Sequence, residues 1–130
     1  MRDAERNARS VKKGMRLLIV EDDPDGRELL ADVFRMHDWV VTATATRCEG
    51  LDAIRRNSFD VIISDEDLQG ESGSSMLRQA EAEGLLGGVG ALMYTAEAGA
   101  LQVPDGVRVL RKPTPTRTLL QEARDIAHVS

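Results

Sequence analysis

Residues 59–73 read FDVIISDEDLQGESG. The first half is a short, apolar, β-branched run suited to a strand buried on both faces. It ends on Asp65, Glu66 and Asp67, after which Gly70 and Gly73 punctuate a loop ahead of a helix near residues 74–83. In an open parallel sheet, function collects at the carboxyl ends of the strands. The three acidic residues stand at such an end.

The same grammar recurs on both sides. Residues 15–20, MRLLIV, form another buried strand, followed by Glu21, Asp22 and Asp23. Asp23-Pro24 reads as an N-cap with proline at the first helical position. The helix after it is expected to bury Leu29, Leu30, Val33 and Phe34. A second strand covers residues 39–44, and Thr46 with Glu49 has the spacing of a capping box. Leu51 and Ile54 are the expected inner face of that helix. The run GLLGGVG at 84–90 carries four glycines and cannot hold a helix well. Residues 91–94 and 107–110 supply the fourth and fifth strands. Thr114-Pro115 repeats the N-cap signal before a helix burying Leu119, Leu120, Ala123 and Ile126. Strands alternate with helices and no tight hairpin joins neighbouring strands, so the sheet is parallel with helices on both faces.

Composition removes several functions. The chain has 130 residues, the size of one domain, and a net charge of −5, which disfavours direct nucleic-acid binding. Four aromatic residues are too few for a base-stacking surface. Cys48 is the single cysteine and is expected to be a small core residue; the lack of a possible internal disulfide fits a cytoplasmic location. His37 and His128 lie far apart, with no zinc spacing. No apolar run approaches a membrane span, so no membrane insertion is expected. Residues 1–14 carry five Lys/Arg against two Asp/Glu and read as a polar, mobile extension, leaving 15–130 as the domain.

Glu21, Asp22 and Asp65, then Thr95 and Lys112, each follow a strand and converge on one edge of the sheet. Clustered carboxylates repel unless a cation neutralises them, and hard oxygen ligands suit Mg²⁺. Beside such a cation Asp65 is a competent nucleophile toward phosphorus. The Lys112 ammonium and the Thr95 hydroxyl can meet phosphoryl oxygens.

The segments RLLIVEDDP (16–24), FDVIISDEDLQGESG (59–73), LMYTA (92–96) and LRKP (110–113) resemble the signature regions of response-regulator receiver domains of two-component systems. The resemblance covers about residues 15–128. It implies a flavodoxin-like, doubly wound, five-stranded parallel α/β sheet in the order 2-1-3-4-5. Asp65 would be the phosphoacceptor, and Thr95 and Lys112 the phosphoryl-binding residues. Mg²⁺, with Mn²⁺ as a substitute, would be held by Asp22 directly, Glu21 through water, Asp65, and the main-chain carbonyl of Asp67. Lys112-Pro113 matches a frequent cis peptide. The partners implied are a histidine kinase or histidine phosphotransfer protein and a downstream protein target. The domain would catalyse only its own phosphorylation and dephosphorylation, either as a stand-alone receiver or as part of a hybrid kinase.

Three positions depart from the family pattern. Gln69 stands where proline is common, and Val109 where an aromatic switch residue is common. Thr95 and Lys112 are 17 residues apart, about five fewer than usual. Residues 96–106 contain Gly99, Pro104 and Gly106, so the fourth helix is expected to be short or absent. Signalling is then expected through that loop or the first helix. Other readings are a receiver-like interaction module that ignores phosphate, and a haloacid-dehalogenase-type phosphatase using Asp65-Glu66-Asp67. A flavodoxin relative is disfavoured because the acidic loop EDDPDG would repel a flavin phosphate.

Overall fold

The computed structural model describes residues 14–97 and 99–127. Nearly all of the expected N-terminal extension lies outside the described residues, as does His128. The strands are β1 (Arg16–Val20), β2 (Val40–Thr44), β3 (Val61–Ser64), β4 (Asp67–Leu68), β5 (Glu71–Ser72), β6 (Gly90–Thr95) and β7 (Arg108–Arg111). The helices are α1 (Pro24–Arg35), α2 (Arg47–Arg56), α3 (Gly73–Ala82) and α4 (Thr116–Ile126). Five strands form one parallel sheet in the order β2-β1-β3-β6-β7. With β6 and β7 as its fourth and fifth strands, this is the order 2-1-3-4-5 expected from sequence.

Each central strand is buried on both faces, which explains its unbroken apolar run. Alternate side chains feed two cores. Leu17, Ile19, Val61, Ile63 and Leu92 pack beneath α1 and α4 with Leu30, Phe34, Leu119 and Ala123. Leu18, Val20, Ile62 and Met93 pack beneath α2 and α3 with Leu51, Ile54, Met76 and Leu77. Fully burying such aliphatic side chains stabilises by roughly 1.5–3 kcal/mol each. Trp39 closes the first core edge-on to Phe34, with ring centroids 5.1 Å apart.

The helix starts follow their caps. Asp23 accepts from the Gly26 N–H at 2.8 Å, with Pro24 in the first turn. Thr46 accepts from the Glu49 N–H at 3.0 Å, while Glu49 reaches back to the Ala45 N–H at 2.9 Å. No helix forms between β6 and β7 among the described residues. Leu101, Val103 and Val107 instead lay this loop over the second core.

Four expectations are corrected. Leu29 is 64% exposed: it is adjacent to Leu30 and therefore about 100° away around the helix, while Leu30 and Phe34 hold the buried stripe. Cys48 is exposed on the first turn of α2. The N-cap of α4 is Pro115, without a side-chain bond, because the Thr114 hydroxyl donates to the Arg111 carbonyl at 2.7 Å. The loop after Asp65 contains an antiparallel two-residue hairpin, with Asp67 opposite Ser72 and Leu68 opposite Glu71. Its turn residues Gln69 and Gly70 have φ of 56° and 87°, the signature of a primed turn. Proline, locked near −65°, cannot occupy that conformation, which gives a physical meaning to Gln69.

Candidate functional site

The edge formed by the ends of β1, β3, β6 and β7 brings the expected residues together. One carboxylate oxygen from each of Glu21, Asp22 and Asp65 lies within 4.8 Å of the other two. Register explains this, because Val20 and Ser64 are paired in adjacent parallel strands and both chains leave the sheet at the same level.

Glu21 is 6% exposed and held at both oxygens. One accepts from the Lys112 ammonium at 2.7 Å, the other from the Asp23 N–H at 3.1 Å. Burial pushes the Glu21 carboxyl above the usual range, and the hydrogen bonds from Lys112 and Asp23 only partly oppose it. Asp65 accepts from the Glu66 N–H at 2.6 Å on one oxygen and from Lys112 at 2.9 Å on the other. Burial alone would lower the Lys112 ammonium; its bonds to Glu21 and Asp65 outweigh that and hold it above its ordinary value. One cation thus spans two carboxylates while Asp22 lies beside them.

Thr95 is 1% exposed, and its hydroxyl oxygen accepts from the Glu97 N–H at 3.1 Å. Its carbonyl accepts from the Lys112 N–H at 2.9 Å, tying the ends of β6 and β7 together. Lys112-Pro113 is cis. The Asp67 side chain is exposed on β4, outside the close carboxylate group. Val109 is 37% exposed on β7.

Several contributors escaped the sequence reading. The Glu66 carboxylate accepts from the Ser74 N–H at 2.8 Å and the Ser74 hydroxyl at 3.0 Å, turning away from the site to cap α3. That leaves Asp65 as the inward-facing acid of the triplet. Gly73 packs against the main chain of Asp65 so closely that an added Cβ would lie 2.0 Å from its carbonyl oxygen. The Arg27 guanidinium donates to the Glu21 carbonyl at 2.8 Å, bracing the β1 end. Tyr94 lies beneath Lys112, 5.4 Å from ring centroid to ammonium.

Three hard oxygen donors, one of them a buried carboxylate whose charge is disfavoured, fit a small divalent cation. An ammonium and a hydroxyl at the same edge fit a phosphoryl group. No helix among the described residues is long and apolar enough to cross a membrane.

A family model described as the response regulator receiver domain matches residues 17–124. The transcriptional activator protein PfeR of Pseudomonas aeruginosa is 40% identical over 68 residues, which are 52% of this chain and 22% of that protein. The chain therefore matches about a fifth of that relative's length. A CheY-like response regulator receiver domain protein from Methanospirillum hungatei JF-1 is similar in structure, with a TM-score of 0.79 and 25% identity over 87% of this chain and 93% of that one. The receiver domain of sensor histidine kinase PA1611 from Pseudomonas aeruginosa PAO1, which has a magnesium ion coordinated in its active site cleft, has a TM-score of 0.80 at 24% identity. That match covers 88% of this chain and 98% of the other.

Proposed function

The chain belongs to the response regulator receiver domain family, and from that premise we propose that it is a phosphorylation switch whose acceptor is Asp65. The observation that carries the proposal is the Asp65 carboxylate, inside the acidic group and 2.9 Å from Lys112.

A phosphohistidine of a histidine kinase or phosphotransfer protein is the donor. An Asp65 oxygen bonds to phosphorus as the P–N bond breaks, the imidazole keeps the electron pair, and an acyl phosphate results. Glu21, Asp22 and Asp65 would hold Mg²⁺ or Mn²⁺, with the Asp67 carbonyl as the family's further ligand. When bound, that ion offsets negative charge on the acidic group and the incoming phosphoryl group. Lys112 and Thr95 bind phosphoryl oxygens. The Glu66 carboxylate takes no direct part in the transfer, because it is committed to the α3 N-terminus. The downstream target is a protein, and a cytoplasmic location goes with these partners.

Beryllofluoride, a phosphoryl mimic, tests the reading. Amide NMR shifts centred on residues 65, 95 and 112 should appear only when Mg²⁺ is present. Asp22→Ala should raise the Mg²⁺ dissociation constant at least about tenfold by removing a direct ligand. Beryllofluoride binding without a divalent cation, or an unchanged Mg²⁺ affinity in Asp22→Ala, would overturn the assignment of the metal site.

A further inference from the structure

Tyr94 is the chain's single tyrosine, and it immediately precedes Thr95 on β6. Strand alternation turns its ring away from Met93 and Thr95, toward the core beneath α1 and α4, where it is partly buried. Two consecutive residues therefore serve opposite faces of the sheet at the same edge.

Both of them grip the segment carrying Lys112. The Thr95 carbonyl accepts from the Lys112 N–H at 2.9 Å. The Tyr94 phenol oxygen accepts from the Thr114 N–H at 3.1 Å, and its hydroxyl donates to the Thr114 carbonyl at 3.4 Å. The same ring presents its π system to the Lys112 ammonium at 5.4 Å, within cation–π range. The ammonium is thus attracted by Glu21 and Asp65 as well as by the ring. Phosphorylation would convert the Asp65 carboxylate into a mixed anhydride and change its share of that attraction.

We propose that Tyr94 is a positioning residue for phosphoryl transfer, holding the Lys112 ammonium toward Asp65 through its ring face and through the main chain of Thr114. The inference rests on the function proposed above, in which Lys112 binds the phosphoryl group. It also distinguishes this chain's aromatic from the usual switch position, which is occupied by Val109.

The test is a double-mutant cycle on the rate of phosphorylation by acetyl phosphate in saturating Mg²⁺, using wild type, Tyr94→Leu, Lys112→Ala and the double variant. Tyr94→Leu should slow phosphorylation by about threefold to thirtyfold, the span of a partly desolvated cation–π contact. Tyr94→Phe keeps the ring and should recover much of that loss. In the Lys112→Ala background, Tyr94→Leu should cost almost nothing further, because Tyr94 acts through Lys112. Multiplicative losses would mean a merely structural role and would overturn the inference. So would a wild-type rate in Tyr94→Leu when Lys112→Ala is slow. A wild-type rate in Lys112→Ala would instead defeat the functional reading of Lys112 itself. Should Tyr94→Leu fail to fold, Tyr94→Met, which also lacks the ring face and the hydroxyl, replaces it in the same cycle: its slowing must vanish in Lys112→Ala, and a wild-type rate or a slowing that persists there rejects the proposal.

Discussion

Replacing Gly73 by alanine perturbs the acceptor without touching its chemistry. Gly73 is the first residue of α3, and its φ is not positive, so alanine meets no backbone penalty there. The obstacle is steric. An added Cβ would lie 2.0 Å from the Asp65 carbonyl oxygen and 2.6 Å from the Ser64 hydroxyl, whereas real Cβ atoms essentially never approach within 3.0 Å. At least about 1 Å must be recovered by moving either the helix start or the Asp65 main chain. Both are tied: Gly73 donates its N–H to the Glu66 carbonyl at 2.9 Å, and Ser64 donates its hydroxyl to the Asp65 carbonyl at 2.8 Å. Overpacking of this kind costs about 1–3 kcal/mol of stability. A misplacement of about 1 Å at a reacting group can cost on the order of a hundredfold in rate. We therefore expect Gly73→Ala to lower the melting temperature by at least about 3 °C. The variant should also phosphorylate from acetyl phosphate about ten- to a hundredfold more slowly. Circular dichroism melts and phosphorylation kinetics followed by intact mass measure the two quantities. A variant with wild-type melting and wild-type rate would refute the claim that this contact sets the position of Asp65.

Three further outcomes follow from other parts of the molecule. Gln69→Pro demands φ near −65° where the hairpin has 56°, so it should destabilise by at least about 1 kcal/mol in thermal melts, and a neutral or stabilising effect would refute the turn assignment. Glu83 is pulled from 4.5 down to about 2 by hydrogen bonds from Arg55 and Gln79, so its contribution is present above the unfolded carboxylate value and lost as pH falls toward 2. The melting-temperature advantage of wild type over Glu83→Gln should therefore exist at pH 6 and vanish near pH 2; a difference independent of pH would contradict it. The loop between β6 and β7 is held by Arg111 donating to the Glu97 carbonyl and by Arg78 donating to the Gln102 carbonyl, and Glu97 is bonded to Thr95. Beryllofluoride should therefore change amide exchange within residues 96–106 and along α1, whereas a beryllofluoride-induced dimer through β7 and α4 would count against signalling by the loop.

The five strands of the parallel sheet and the helices among the described residues could be read from local chemistry, because most of them carry their own signal. Doubly buried strands leave continuous apolar runs, and Asp23-Pro24 and Thr46/Glu49 mark helix starts by side-chain hydrogen bonds that need no tertiary partner. Part of what could not be read depended on tertiary packing, and part on local geometry that the residue types do not announce. Leu29 and Leu30 are equally apolar, and only the packing of α1 on the sheet decides which is buried. Thr114 has the composition of a cap, but its hydroxyl donates to the Arg111 carbonyl and its N–H to the Tyr94 phenol oxygen. The hairpin was hidden because glutamine is an unusual residue for its positive-φ corner. At the site, the convergence of Glu21, Asp22, Asp65, Thr95 and Lys112 on one edge of the sheet was legible from their places at the strand ends. Glu66, Gly73 and Tyr94 were not, since their contributions are contacts with Ser74, the Asp65 main chain and Thr114.

The most direct measurement is the phosphorylation state of the protein after incubation with acetyl phosphate, followed by peptide mapping of the modified site, for wild type and Asp65→Asn, each with Mg²⁺ and with a chelator. Wild type with Mg²⁺ should gain one phosphoryl group, located on Asp65. The other three samples should gain almost none. Equal modification of Asp65→Asn, or of wild type in chelator, would contradict the account.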